Sequence, residues 1–232
     1  MDVNVEFYHE NAVYRSWADG KLNFAVKSNF NDFTGFRKPQ RAAAFAVFSH
    51  LDSDPAVPAT VVMPTGTGKT DTIFSIVIAG LFPRTLLIVP SDALRSQIGH
   101  RFATLERLRA INAITPDILS PIVHRIDGRD AAMNLDSIVG ANVTIATPAA
   151  LAQLNDDELK YFTTNYTHLI FDEAHHEAAV TWGRISKAFS PKPTVCFTAT
   201  PFRLDQQRLN GKIIFNYSLS CQRQSKSDPL YR

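Results

Sequence analysis

Residues 59–78 read as a strand, a glycine-containing turn and a helix in immediate succession. That order favours folds in which a loop crosses the carboxyl edge of a sheet. Ala59-Thr60-Val61-Val62 has strand character, Met63-Pro64-Thr65-Gly66-Thr67-Gly68-Lys69-Thr70 follows, and Ile73-Phe74-Ser75-Ile76-Val77-Ile78 continues as an apolar helix. Gly66 and Gly68 permit dihedrals closed to other residues, so backbone N–H groups can converge on phosphate oxygens there. The helix N-terminus adds its partial positive charge. At this spacing Thr65, Gly66, Thr67 and Gly68 form a phosphate loop, Lys69 reaches the β- and γ-phosphates of ATP, and the Thr70 hydroxyl ligates Mg²⁺. The pattern departs at position 63, where Met replaces its first glycine. The alternative is a glycine turn carrying a surface lysine.

A second apolar run, His168-Leu169-Ile170-Phe171, ends in Asp172-Glu173-Ala174-His175. Carboxylates at the end of a strand lie where doubly wound sheets hold their ligands. Asp172 is expected to hold Mg²⁺ through water, and Glu173 to polarise the attacking water as a general base, with Lys69 completing the catalytic set. Adjacent acids are also favoured at helix N-termini. The phosphate loop upstream favours the chemical reading.

With these two segments the chain resembles the superfamily 2 helicases and translocases of the DEAD/DEAH-box type. Phe36-Arg37-Lys38-Pro39-Gln40-Arg41 is similar to the arginine-x-x-glutamine segment that precedes their P-loop, which implies that Gln40 reads the adenine. Val89-Pro90-Ser91-Asp92-Ala93-Leu94-Arg95-Ser96-Gln97 resembles motif Ia and Ala146-Thr147-Pro148-Ala149-Ala150-Leu151 resembles motif Ib. The resemblance implies nucleic-acid contacts by Ser91, Arg95, Thr147 and Pro148. Thr198-Ala199-Thr200-Pro201 resembles motif III, which implies that Thr198 and Thr200, with His175, couple hydrolysis to strand movement. The motifs stand in family order, cover residues 36–216, and are nearest to type III restriction subunit-like helicases. This implies DNA rather than RNA as the nucleic acid, and a second helicase lobe or a restriction or repair subunit as partner.

The lesser motifs also have ordinary structural roles. Ser91 and Thr147 follow apolar strands and precede helical stretches, so each is placed to be an N-cap, and Pro148 suits a first helical position. Exposed N–H groups at helix starts bind phosphates as well, so the two roles are compatible. Gln40 opens an amphipathic stretch to His50, where a polar residue is commonly solvated. His175 and His176 are adjacent and do not share a helix face, so no metal other than Mg²⁺ is expected.

Composition fits a globular domain with a sizeable core: 45% of the 232 residues are apolar and 20% charged. The net charge of +2 is too small for a strongly basic nucleic-acid binder, so binding requires a local patch. Cys196 and Cys221 form neither metal-ligand spacing nor a disulfide framework, which points to a cytoplasmic protein. The apolar run at 73–82 is too short to span a bilayer, and an N-terminus with Asp2 and Glu6 lacks the form of a signal peptide, so no membrane partner is expected.

Strands are expected at 59–63, 85–89, 143–146, 168–171 and 194–197, alternating with helices at 69–81, 92–108, 148–160 and 173–188; 122–125 reads as a further strand. This is an α/β chain, a P-loop NTPase with a RecA-like, mostly parallel sheet and helices on both faces. Residues 1–35, rich in aromatics, read as a β-rich arm or accessory segment, 36–216 as the ATP-binding domain, and 217–232 as a polar tail consistent with a truncated product, a fragment or one half of a split enzyme. The arginine motif of a second helicase lobe is not found; Val180–Lys187 is a near match that lacks its first polar residue and its last arginine. Such an arginine is worth about 10³–10⁵ in rate in other NTPases. The chain thus reads as the ATP-binding lobe of a DNA helicase or translocase. The alternatives are a non-enzymatic nucleotide- or partner-binding module and, less well matched, a P-loop small-molecule kinase.

Overall fold

The computed structural model describes residues 11–27, 34–173, 179–200 and 211–217. Seven strands, β1 (Ala59–Val62), β2 (Thr85–Ile88), β3 (Val123–Ile126), β4 (Val143–Ala146), β5 (His168–Asp172), β6 (Thr194–Thr198) and β7 (Lys212–Asn216), form one sheet in the order β3-β4-β2-β5-β6-β1-β7. Every pairing in it is parallel.

Along each central strand successive side chains enter opposite layers. Leu87, Ile170, Val195 and Phe197 point into one core, with α1 (Ala12–Asp19), α2 (Lys38–Ser53), α3 (Lys69–Ala79), α4 (Asp92–Thr104) and α5 (Glu106–Ala110). Leu86, Ile88, Leu169, Phe171 and Cys196 point into the other, covered by α6 (Arg129–Met133), α7 (Leu135–Val139), α8 (Pro148–Leu151), α9 (Asp156–Thr164) and α10 (Ala179–Phe189). Right-handed crossovers account for this division, because the chain steps one way along the sheet from β1 to β3 and back from β3 to β6. All loops that follow strands therefore gather at one edge.

The expected strands are present, and β7 adds one at the edge. The expected helix at 92–108 breaks at Leu105, which takes a left-handed conformation with φ 50° while its side chain is buried. The expected helix at 148–160 is two helices. Asn155 caps the second by accepting from the Glu158 N–H at 2.9 Å, while the Glu158 side chain accepts from the Asn155 N–H at 3.0 Å. The described part of the arm is a helix followed by an extended stretch with bridges at Leu22 and Val26: Asn11 caps α1, Val13 and Trp17 enter the core, and Trp17 Nε1 donates to the Leu119 carbonyl at 2.9 Å. Among the described residues no helix is long and apolar enough to cross a membrane.

Candidate active site

The loop after β1 has the geometry its glycines anticipate. Gly66 and Gly68 take φ values of 81° and 95°, and Gly68 begins α3, its carbonyl accepting from the Thr72 N–H and hydroxyl at 3.0 Å each. The Thr67 hydroxyl donates to the Pro64 carbonyl at 2.6 Å and closes the turn on itself. A Cβ on Gly66 would enter open space, whereas one on Gly68 would strike the Gln40 amide. Met63 explains its own departure from the glycine pattern. Its N–H continues the ladder to the Thr198 carbonyl at 2.8 Å, and its side chain is buried in the core below the loop.

Lys69, Thr70, Asp172 and Glu173 line one cleft of about 360 Å³ with Gln40, Thr65, Gly66 and Gly68. Lys69 comes from the start of α3 and the two acids from the end of β5, with β6 between β5 and β1. The Lys69 ammonium donates to Glu173 Oε1. Glu173 does not begin a helix as expected from 173–188; it takes φ 57°, a conformation uncommon for a residue with a side chain and concentrated at functional sites. Burial raises the Asp172 carboxyl to about 6, the Glu173 charge adds to the shift, and Lys69 opposes it. Asp172 Oδ1 is buried without a hydrogen-bond partner among the described residues. An acid left in that state, in the same cleft as the Thr70 hydroxyl, fits a hard cation such as Mg²⁺.

Gln40 is oriented by both ends of its amide. Oε1 accepts from the Arg37 N–H at 2.9 Å and Nε2 donates to the Gly68 carbonyl at 3.1 Å, so it braces the phosphate loop from the side. Arg37 Nη1 donates to the Gly66 carbonyl in the same way. On the far side of α3, Asp71 pairs with Arg101 at 2.7 Å and stands 3.9 Å from Arg107. Burial raises the Asp71 carboxyl above its ordinary range while Arg101, Arg107 and Arg37 draw it back. Asp71, Arg101 and Arg107 line the cleft without having been expected there. Asp71 was legible as the acid beside Thr70; the arginines come from other helices, and no local pattern marks them.

The residues expected at nucleic acid lie elsewhere along the same edge. Ser91 caps α4, accepting from the Leu94 N–H at 3.3 Å, and Thr147 caps α8, accepting from the Ala150 N–H at 3.3 Å, with Pro148 at its first position. Arg95 is held by the Ile126 carbonyl at 2.6 Å and by Asp92 at 3.1 Å, which fastens α4 to β3. The Thr198 hydroxyl donates to the Thr200 carbonyl at 2.8 Å, directly beside the phosphate loop strand. His175 lies outside the described residues.

Solved structures with this fold include helicases and a restriction enzyme. The chain superposes on the UvsW helicase of bacteriophage T4 with a TM-score of 0.51 and 14% identity, covering 81% of this chain and 59% of that one. A hypothetical ATP-dependent RNA helicase from Sulfolobus tokodaii gives a TM-score of 0.51 and 17% identity over 83% of this chain and 51% of that one. The ATP-dependent type ISP restriction-modification enzyme LlaBIII, bound to DNA, gives a TM-score of 0.51 and 18% identity over 88% of this chain and 16% of that one. The chain thus spans less than two thirds of each. No curated protein matches it significantly by sequence. The family profile described as "Type III restriction enzyme, res subunit" matches residues 34–203, most of the chain, including the phosphate loop and Asp172-Glu173. With a parallel sheet that gathers those segments in one cleft, this helicase-type ATP-binding lobe belongs to the type III restriction enzyme res subunit family.

Proposed function

We propose that the lobe binds Mg-ATP in the cleft and hydrolyses it to move DNA in the cytoplasm, working with a second lobe. The observation that carries this reading is the meeting of Lys69 with Asp172 and Glu173 at one carboxyl edge. The Lys69 ammonium donates to Glu173. An incoming phosphate competes for that ammonium, so binding frees the Glu173 carboxylate to take a proton from the attacking water. Asp172 and Thr70 would hold Mg²⁺, which would neutralise phosphate charge. Protonation of Asp172 removes its metal-binding charge, so acid weakens the site. Thr198, in the strand between the two halves, is placed to sense hydrolysis, and the Ser91 and Thr147 helix starts are assigned to the DNA backbone.

DNA rather than RNA is supported by the family match to a restriction subunit. The test is ATP turnover by the 232-residue chain with single-stranded DNA, single-stranded RNA or neither, alongside a strand-displacement assay. Stimulation by DNA in preference to RNA is expected, with weak, salt-sensitive binding and no unwinding, because one lobe offers no second grip. Equal turnover in all three conditions would refute coupling to nucleic acid. Unwinding by the monomeric chain would refute the need for a second lobe.

A further inference from the structure

The family match begins at residue 34, so residues 21–27 lie outside it. Their backbone packs against the domain and carries Lys27 to the cleft. Leu22 bridges Ile114 in antiparallel fashion, and the Asn23 N–H donates to the Ala113 carbonyl at 2.7 Å. The Phe36 N–H donates to the Ala25 carbonyl at 2.8 Å and the Lys27 N–H to the Phe36 carbonyl at 3.0 Å. The Gly35 N–H donates to the Ile111 carbonyl at 2.7 Å. Gly35 has φ 79°, and a Cβ there would meet the Ala25 carbonyl at 2.6 Å, so this close approach requires glycine. The packing brings Lys27 and Gly35 to the same wall as Arg37, Arg107 and Ile111.

This wall is cationic and stands away from the catalytic acids. Lys69 and Asp71 are two residues apart on a helix, about 200° around its axis, so the side that meets Glu173 and the side that meets the arginines are opposite. Arg101 is committed to Asp71 at 2.7 Å. Arg107 is 3.9 Å from it and 51% exposed, which leaves its guanidinium within reach of a ligand. Buried Ile111 offers an apolar surface beneath. A nucleotide whose terminal phosphate lies by Lys69 has these cations within the same cleft to meet its nucleoside end. Guanidinium and ammonium groups suit the face of a base or the ribose hydroxyls.

We infer that Lys27, held in place by the packing of residues 21–27, and Arg107 of α5 are binding residues for the nucleoside end of ATP. This rests on the nucleotide reading above. It gives the arm a role in ligand binding and makes base recognition depend on residues beyond the family match.

The test compares ATP with inorganic triphosphate as ligands of the full chain, with Mg²⁺ and physiological salt, in wild type and in the Lys27→Ala/Arg107→Ala double variant. Both side chains lie outside the core, and salt limits long-range effects on the phosphates. ATP affinity is expected to fall about tenfold, the scale of one or two such contacts, while triphosphate affinity changes by less than about twofold. Unchanged ATP affinity, or equal losses for both ligands, would overturn the inference while Lys69-dependent ATP binding left the nucleotide site standing. Wild-type chain that binds no ATP would overturn both.

Discussion

Lys69→Ala is expected to weaken ATP binding about a hundredfold or more, the scale of losing charge-assisted hydrogen bonds to phosphate. Lys69 is 8% exposed and its ammonium faces the cleft, so substitution removes the cation that, among the described residues, pairs with Glu173. It also removes the ion pair between Lys69 and Glu173. The variant should therefore melt earlier than wild type, and the titration should be run below its transition. A fluorescent ATP analogue displaced by ATP gives the affinity. Equal values in the two proteins would remove Lys69 from the nucleotide site.

Glu173→Gln separates chemistry from binding. The amide keeps the size of the side chain but lacks the charge that holds Lys69, so ATP affinity should be retained or increased. Hydrolysis should fall by about 10²–10⁴-fold, the contribution of a positioned base. Single-turnover measurement of phosphate release reads this directly, independent of affinity. Unchanged turnover would take Glu173 out of the mechanism.

The fold was legible where burial imposed simple patterns. β2, β5 and β6 are covered on both faces, so each reads as an unbroken apolar run bounded by turn residues. β7 escaped because it is a half-exposed edge strand with Lys212 and Asn216 at its ends. Asn155 and Glu158 spell a helix start that a continuous reading of 148–160 passes over. Leu105 gives no such signal, since an apolar residue is a poor marker of a left-handed cap. Its conformation is imposed by the core that buries its side chain.

The same division runs through the site. Gly66, Gly68, Lys69 and Thr70 are adjacent in sequence, and their function follows from a local loop, so their spacing carries the information. Asp172 and Glu173 are legible as a strand ending in acids. What joins them is the order of strands, which no single segment encodes. Gln40 was legible only by its motif, and the Gly68 carbonyl it braces lies 28 positions away in the sequence. Lys27, Arg101 and Arg107 are ordinary surface cations until packing sets them around Asp71 and the arm. Tertiary contact rather than pattern creates that part of the cleft.

The most direct measurement is calorimetric titration of ATP into the full chain, with and without Mg²⁺, across pH 5–8. Burial pushes the Asp172 carboxyl up to about 6, so its metal-binding charge is present above that value and lost below it. The account predicts one nucleotide bound per chain, dependence on Mg²⁺, and affinity that falls as pH drops through about 6. Absence of binding, or binding indifferent to both metal and pH, would contradict it.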